Sequence, residues 1–213
     1  MLSNQQLRYN ARQQLGNRIF HSAWLNMLCA CGVIPVLEGA IASTGIGALL
    51  VFVLVGALEF GLAHVTVNCA SGRRWSVGQV FTAFDGKFVK TLILHLVRSI
   101  FLFLWTLLFI IPGIVKSYSY ALVYYLQQEP DNVHREPVDL ITQSREWMNG
   151  YKWKLFCLDF SFIGWYILGA LCFGVGIFFV TPYHQMARAN FYLEIRSERE
   201  GRSAFDCGEP FEV

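Results

Sequence analysis

Ionisable side chains inside otherwise apolar runs are the residues with the strongest chemical demand in this sequence. Glu59, His64, His95, Arg98 and Asp159 each lie within such a run, and Lys116 lies at the end of one. A charge in a bilayer is expensive, so such groups pair, carry protons or meet a ligand. At ~1.5 Å per helical residue, Arg98 falls roughly 12 Å beyond Lys90, Asp159 roughly 7–8 Å beyond Lys154, and Glu59 roughly 15 Å before Cys69. These depths place Glu59, His95, Arg98 and Asp159 in one polar cluster within one half of a membrane bundle. The expected pair is Arg98 with Asp159, and Glu59 is the competing partner. A structural ion pair that fixes helix register and a ligand or proton-relay site are both readings of that cluster.

A second polar group follows Pro112-Gly113. Helical spacing puts Ser117 and Tyr120 on one face, with Tyr124 one turn on, while Tyr118 points elsewhere. Lys116, Ser117 and Tyr120 read as a polar lining for a headgroup or substrate. They read equally as interfacial snorkelling by the lysine with hydroxyl bonds between helices. A third group lies on the amphipathic helix 138–149, where Asp139, Arg145 and Trp147 suit a protein partner or anionic lipid. The alternative is that this helix packs beneath the bundle.

Enzyme chemistry has little to stand on. Glu38, Glu59, Asp85 and Asp159 are scattered, and no H-E-x-x-H, G-x-S-x-G or Walker-type loop occurs. The six cysteines include no C-x-x-C pair, and most lie in or beside apolar runs, where a free thiol behaves as a small hydrophobe. The expectation is therefore a protein that is not an enzyme, with no metal and no cofactor. A net charge of +2 offers no footprint for nucleic acid.

The elements that must position these residues are membrane spans. Of 213 residues, 54% are hydrophobic and 15% charged, against roughly 25% charged in soluble domains. Mean hydropathy is +0.41. Apolar runs cover about 21–37, 46–67, 91–111, 114–126, 153–173 and 177–195, several near the ~20 residues that cross a bilayer. The fold class expected is all-α: a polytopic membrane bundle of about six transmembrane helices plus amphipathic surface helices. Pro112-Gly113 is read as the turn between the third and fourth spans, and Pro182 as a kink in the sixth. Residues 1–20 form an N-terminal helix capped by Ser3, with the stripe Leu7, Ala11, Leu15 and Ile19 resting on the membrane surface or left in solvent. Polar loops fall at about 68–90 and 127–152. Within the first, Val77–Phe84 is expected on the membrane surface. Residues 196–213 are a charged tail. No cleavable signal peptide is expected, because the first residues are polar and contain Arg8, Arg12 and Arg18.

With six spans, every Lys and Arg except Arg98 and Lys116 falls on the side of the termini or just within its membrane boundary. That side is then cytoplasmic, and the polar cluster lies in the cytoplasmic half. Gly47, Gly56, Gly164 and Gly169 permit close helix contacts, including those of a homo-oligomer.

Three stretches carry a family likeness: LWTLLFIIPGIVKSYSYALVYY (104–125), TQSREWMNGYKWKLFCLDFSFIGW (142–165) and PYHQMARANFYLEI (182–195). Together with ARQQLG (11–16) and GQVFTAFDGKF (78–88), they resemble the bacterial integral-membrane family known as domain of unknown function 975. The Pro-Gly turn with following tyrosines is more distantly similar to membrane domains attached to some glycerophosphodiester phosphodiesterases. The resemblance implies a six-helix bundle in a bacterial cytoplasmic membrane and supplies no activity. The functional expectation is a non-enzymatic scaffold, envelope-homeostasis or partner-interaction factor working in the lipid bilayer. The alternative is a small transporter or lipid-binding protein that uses the polar cluster.

Overall fold

The structure, a computed structural model, describes residues 3–15, 26–32, 47–84, 86, 88–132, 135–171 and 175–200. The protein is all-α, and no strand occurs among the described residues. In chain order the helices are α1 (Asn4–Gln14), α2 (residues 26–32), α3 (Gly47–Ala70), α4 (Phe88–Leu108), α5 (Ile110–Ser119), α6 (Val123–Gln127), α7 (Pro137–Trp147), α8 (Lys152–Leu171) and α9 (Val175–Glu200). A 3-10 helix, Val77–Phe84, joins α3 to α4, and a shorter one, Pro130–Asn132, precedes α7.

The second half of α9 is the centre of the core. Met186, Ala187, Ala189, Phe191, Tyr192 and Ile195 are wholly buried, with α1, α3 and α8 packed around them. The Tyr192 ring stacks on Tyr125 of α6 and Trp147 of α7, at 5.0 and 6.4 Å between centroids. Its hydroxyl donates to Glu129, which also pairs with Arg196 at 3.0 Å. The buried hydroxyl thus has an acceptor, as burial demands.

Ser3 caps α1 as its position predicts: its hydroxyl accepts from the Gln6 amide, and the Gln6 side chain accepts from Ser3 N. The stripe Leu7, Ala11 and Leu15 is fully buried against protein and rests on neither lipid nor solvent. The stripe is narrow, and its polar borders find partners on the bundle. Gln14 donates to the Ala70 carbonyl at 3.0 Å and accepts from Asn190 at 2.9 Å. Ile19 lies outside the described residues.

Among the described residues, two helices, α4 and α8, are long and apolar enough to cross a membrane by length and composition; the apolar stretch Leu54–Ala70 of α3 is shorter. Both open into hairpins that carry large apolar side chains on their outer surface. Phe103, Leu107, Phe109 and Ile111 of the α4–α5 hairpin are exposed, as are Ile167, Leu168, Leu171 and Phe178 of the α8–α9 hairpin. An apolar surface of that kind marks a membrane or partner contact. The expected first span is described only over 26–32, and the tail beyond residue 200 lies outside the described residues.

The expected turn at Pro112-Gly113 falls three residues earlier. Phe109 takes an extended conformation between α4 and α5, and Pro112 enters the first turn of α5, where its missing N–H leaves no helical bond unmade. Gly113 serves close approach instead: a Cβ there would lie 2.6 Å from Thr106 Oγ1 of α4. The expected fourth span is divided, because the helix stops at Ser119 and restarts at Val123. Of the small residues expected at oligomer contacts, Gly56 packs against the His95 ring and Gly169 against Gly176, so both faces are used within the chain.

α7 begins with Pro137 at its first turn and stops near Gly150, whose φ of 85° favours glycine. Tyr151, just before α8, donates to Glu198 at 2.8 Å, and that carboxylate raises the phenol pKa. The 3-10 helix Val77–Phe84 docks on α3 through Val80 and Ala83, leaving Phe81 and Phe84 exposed. A Cβ on Gly61 would sit 1.7 Å from the Val80 carbonyl oxygen. Gly61→Ala is therefore expected to cost about 1–3 kcal/mol by overpacking. A lower thermal midpoint of the detergent-solubilised protein checks this, with Gly164→Ala, which meets open space in mid-helix and should hold or slightly raise the midpoint, as the control.

Candidate functional site: a polar cavity among the helices

Five helices surround a cavity of about 230 Å³. Glu59, Leu62 and Ala63 come from α3, Arg98 from α4, Ser117 and Tyr118 from α5, Tyr124 and Tyr125 from α6, and Gln185 and Arg188 from α9. Ala121 lines it from the break between α5 and α6. Arg98 is the midpoint of the 21-residue α4. The site therefore lies halfway along that helix, about 15 Å from either end.

The α5–α6 break frees backbone groups that a continuous helix would pair. Tyr120 N and Ala121 N form short-range bonds to Lys116, Ser117 and Tyr118 carbonyls, and the Ser144 hydroxyl of α7 donates to the Ser119 carbonyl at 2.9 Å. Ser144 is fully buried. α7 therefore closes the break from outside the cavity, meeting the rule that irregular backbone in an apolar setting needs protein partners.

Two ion-pair systems approach the cavity. In the first, Arg98 Nη1 donates to Glu59 Oε2 at 3.3 Å and to the Tyr124 hydroxyl at 3.2 Å. Its guanidinium lies 5.0 Å from the Tyr124 ring centroid. The same hydroxyl meets His95 Nδ1 at 2.6 Å. No described residue accepts from Arg98 Nε, although that atom is buried. In the second, Arg188 grips both oxygens of Asp159 through Nε, at 3.0 Å, and Nη2. His184 Nε2 holds Asp159 Oδ1 at 2.8 Å, and its Nδ1 meets the Tyr166 hydroxyl at 3.0 Å.

The structure thus corrects the expected Arg98–Asp159 pair. Glu59, the competing partner, holds Arg98, and Asp159 belongs to Arg188. Depth along the membrane did not decide the pairing, because α8 packs against α9 and α5 whereas α4 packs against α3, α5 and α7. Arg188 and His184 escaped notice in the sequence. Their i, i+4 spacing inside an apolar run was the signal, since it sets two ligands for one carboxylate on one helix face.

Ser117 lines the cavity as expected, donating meanwhile to the Ile114 carbonyl at 2.7 Å. Tyr120 is buried away from the cavity, and Tyr118 takes the place expected for it. The break resets the helical phase only for α6; Tyr118 and Tyr120 both follow α5, since the Tyr120 N–H still bonds to the Lys116 carbonyl at 3.1 Å, and the rotation of α5 decides which of them meets the cavity. Lys116 lies over the Trp105 ring, 4.4 Å from its centroid, and does not line the cavity. On α7, Asp139 and Arg145 are exposed, whereas Trp147 turns inward against Tyr192 with Arg199 over its ring.

These features define an all-helical protein with two membrane-length apolar helices and a charged cavity among its helices. The chain belongs to the family described as "Protein of unknown function (DUF975)", whose model matches residues 1–133 and 108–199. No curated protein and no solved structure matches it. The family match bears on that family alone and adds nothing to the likeness with phosphodiesterase membrane domains.

The pairing makes a direct prediction. In double-mutant cycles, Asp159→Asn and Arg188→Gln couple strongly, and Asp159→Asn with Arg98→Gln adds independently. Removing one partner of such a largely buried pair costs on the order of 3 kcal/mol. Thermal unfolding of the four variants in detergent reads both cycles, and strong Arg98–Asp159 coupling would refute the assignment.

Proposed function

We propose that this is a multi-pass protein of a bacterial cytoplasmic membrane that binds a small polar ligand in the α3–α4–α5–α6–α9 cavity, as a lipid-binding or transport protein. A six-span arrangement with cytoplasmic termini is part of this reading. It draws on the distribution of lysine and arginine and on the apolar outer surfaces of the α4–α5 and α8–α9 hairpins.

One observation carries the ligand reading. The charged cavity sits halfway along a membrane-length helix, beside a helix broken in the middle. Discontinuous helices whose unwound backbone lines a midplane cavity are the architecture of membrane binding sites. A pure register-fixing ion pair needs neither a cavity nor a break. The role is one of binding, without bond chemistry. A scaffold role would draw on α7, where Asp139 and Arg145 remain on the outside. Trp147 and Ser144 of that helix are engaged in the fold, so the cavity has the stronger support.

Filling the cavity tests the proposal. Native mass spectrometry of protein released gently from its own membrane should show a recurrent small-molecule or lipid mass on the wild type. Ala121→Phe should lose that mass while keeping its thermal midpoint within a few degrees. An identical mass profile in a folded Ala121→Phe protein would sink the reading.

A further inference from the structure

We infer that the cavity takes a monovalent oxyanion, a phosphodiester or carboxylate group, held by Arg98, and that Glu59 occupies that position when the ligand is absent. The inference rests on the cavity reading above and names the chemistry of its ligand. A guanidinium carries five N–H donors in a planar fork suited to two oxygens of one anion. Arg98 uses only Nη1 in described contacts, and its buried Nε has no acceptor. An anion in Glu59's place at Nη1 would set its second oxygen on Nη2, which shares one edge of the guanidinium with Nη1.

Glu59 fits a place-holder. It meets Arg98 through one nitrogen at 3.3 Å, and its side chain keeps 42% of its surface exposed. A side chain this exposed can turn away from Arg98 without rearranging the buried core. Arg188 makes the contrast within the same cavity. Its Nε and Nη2 are both spent on Asp159, whose side chain is only 13% exposed, so that pair is built to stay closed. Tyr118, Tyr125 and Gln185 add uncharged hydrogen-bonding groups to the lining.

Charge and volume limit the ligand. Arg98 and Arg188 balance Glu59 and Asp159, so a monoanion can take Glu59's place at Arg98 once that carboxylate has turned away, whereas a dianion would bring a second charge with no cation to meet it. At ~30 Å³ per water, the cavity of about 230 Å³ holds roughly eight waters' worth of ligand, room for a headgroup.

Binding measurements separate the sources of such an anion. Protein in zwitterionic-lipid nanodiscs is titrated with dimethyl phosphate and with acetate. A parallel sample carries phosphatidylglycerol, and its lipid adducts are read by native mass spectrometry. Glu59→Gln, which removes the competitor, should tighten binding about tenfold, a gain of ~1.4 kcal/mol. Arg98→Gln should weaken it at least about tenfold, with its folding checked by circular dichroism melting. Response to the soluble probes alone identifies a free anion, and response to phosphatidylglycerol alone identifies a lipid headgroup. Unchanged or weaker binding in Glu59→Gln would overturn the inference, because damage to the fold cannot produce the expected gain. So would binding to a folded Arg98→Gln protein at wild-type affinity. If none of these anions binds but tetramethylammonium does, and Ala121→Phe abolishes it, the ligand class is wrong and the cavity reading survives. If neither anion nor cation binds and Ala121→Phe leaves the native masses unchanged, both fail.

Discussion

A charge buried in an apolar helical bundle must be met by an opposite charge, and here the Asp159 carboxylate meets that demand most fully. Arg188 and His184 hold it from one face of α9, and Tyr166 orients the histidine from α8. This arrangement ties α8 to α9, and α9 in turn carries Gln185 and Arg188 on the wall of the cavity. The rest of the core is arranged around the same α9. Its next turns are buried by α1 and α3, and Tyr192 stacks with α6 and α7. Loss of the carboxylate would leave a guanidinium stranded in low dielectric, so the pair constrains both rotation and depth of the two helices.

The Arg98–Glu59 contact has a different character, although it lines the same cavity. It is monodentate, one partner is partly exposed, and a tyrosine hydroxyl shares the donor. One ion pair is locked by geometry and the other is loose. That difference separates a structural charge from an available one, and residue type alone does not show it. The broken α5–α6 segment belongs to the same design. Its backbone would be costly in apolar surroundings, and the buried Ser144 hydroxyl of α7 offsets part of that cost. A helix that reads as a peripheral amphipathic element thus supports the most irregular backbone of the site.

Much of the fold was legible in the sequence because it depends on local physics. Apolar run length located α3, α4, α8 and α9. The Ser3 side chain announced the start of α1, and Pro137 and Gly150 bracketed α7 and its turn. Individual charges were legible too, since a charge in an apolar run identifies itself wherever the helices go, but their grouping into one cluster was not. The Phe109 turn was not. Proline and glycine mark both turns and first helical turns, and choosing between them required knowing that Gly113 faces Thr106 across the hairpin.

The sequence by itself determined the all-helical class, the family likeness, and the presence of Glu59, Arg98 and Asp159 as charges in need of partners. Only the tertiary structure decided who partners whom. Depth along a helix follows from counting residues, but the direction a side chain faces depends on how neighbouring helices are ordered and rotated. That order brought Arg188 to Asp159 and Glu59 to Arg98, and it opened a cavity between the two pairs. The helix break had the same consequence on a smaller scale. A periodicity of 3.6 residues predicts faces only while the helix continues, so the face Tyr124 presents from α6 depends on the break and not on its spacing from Ser117.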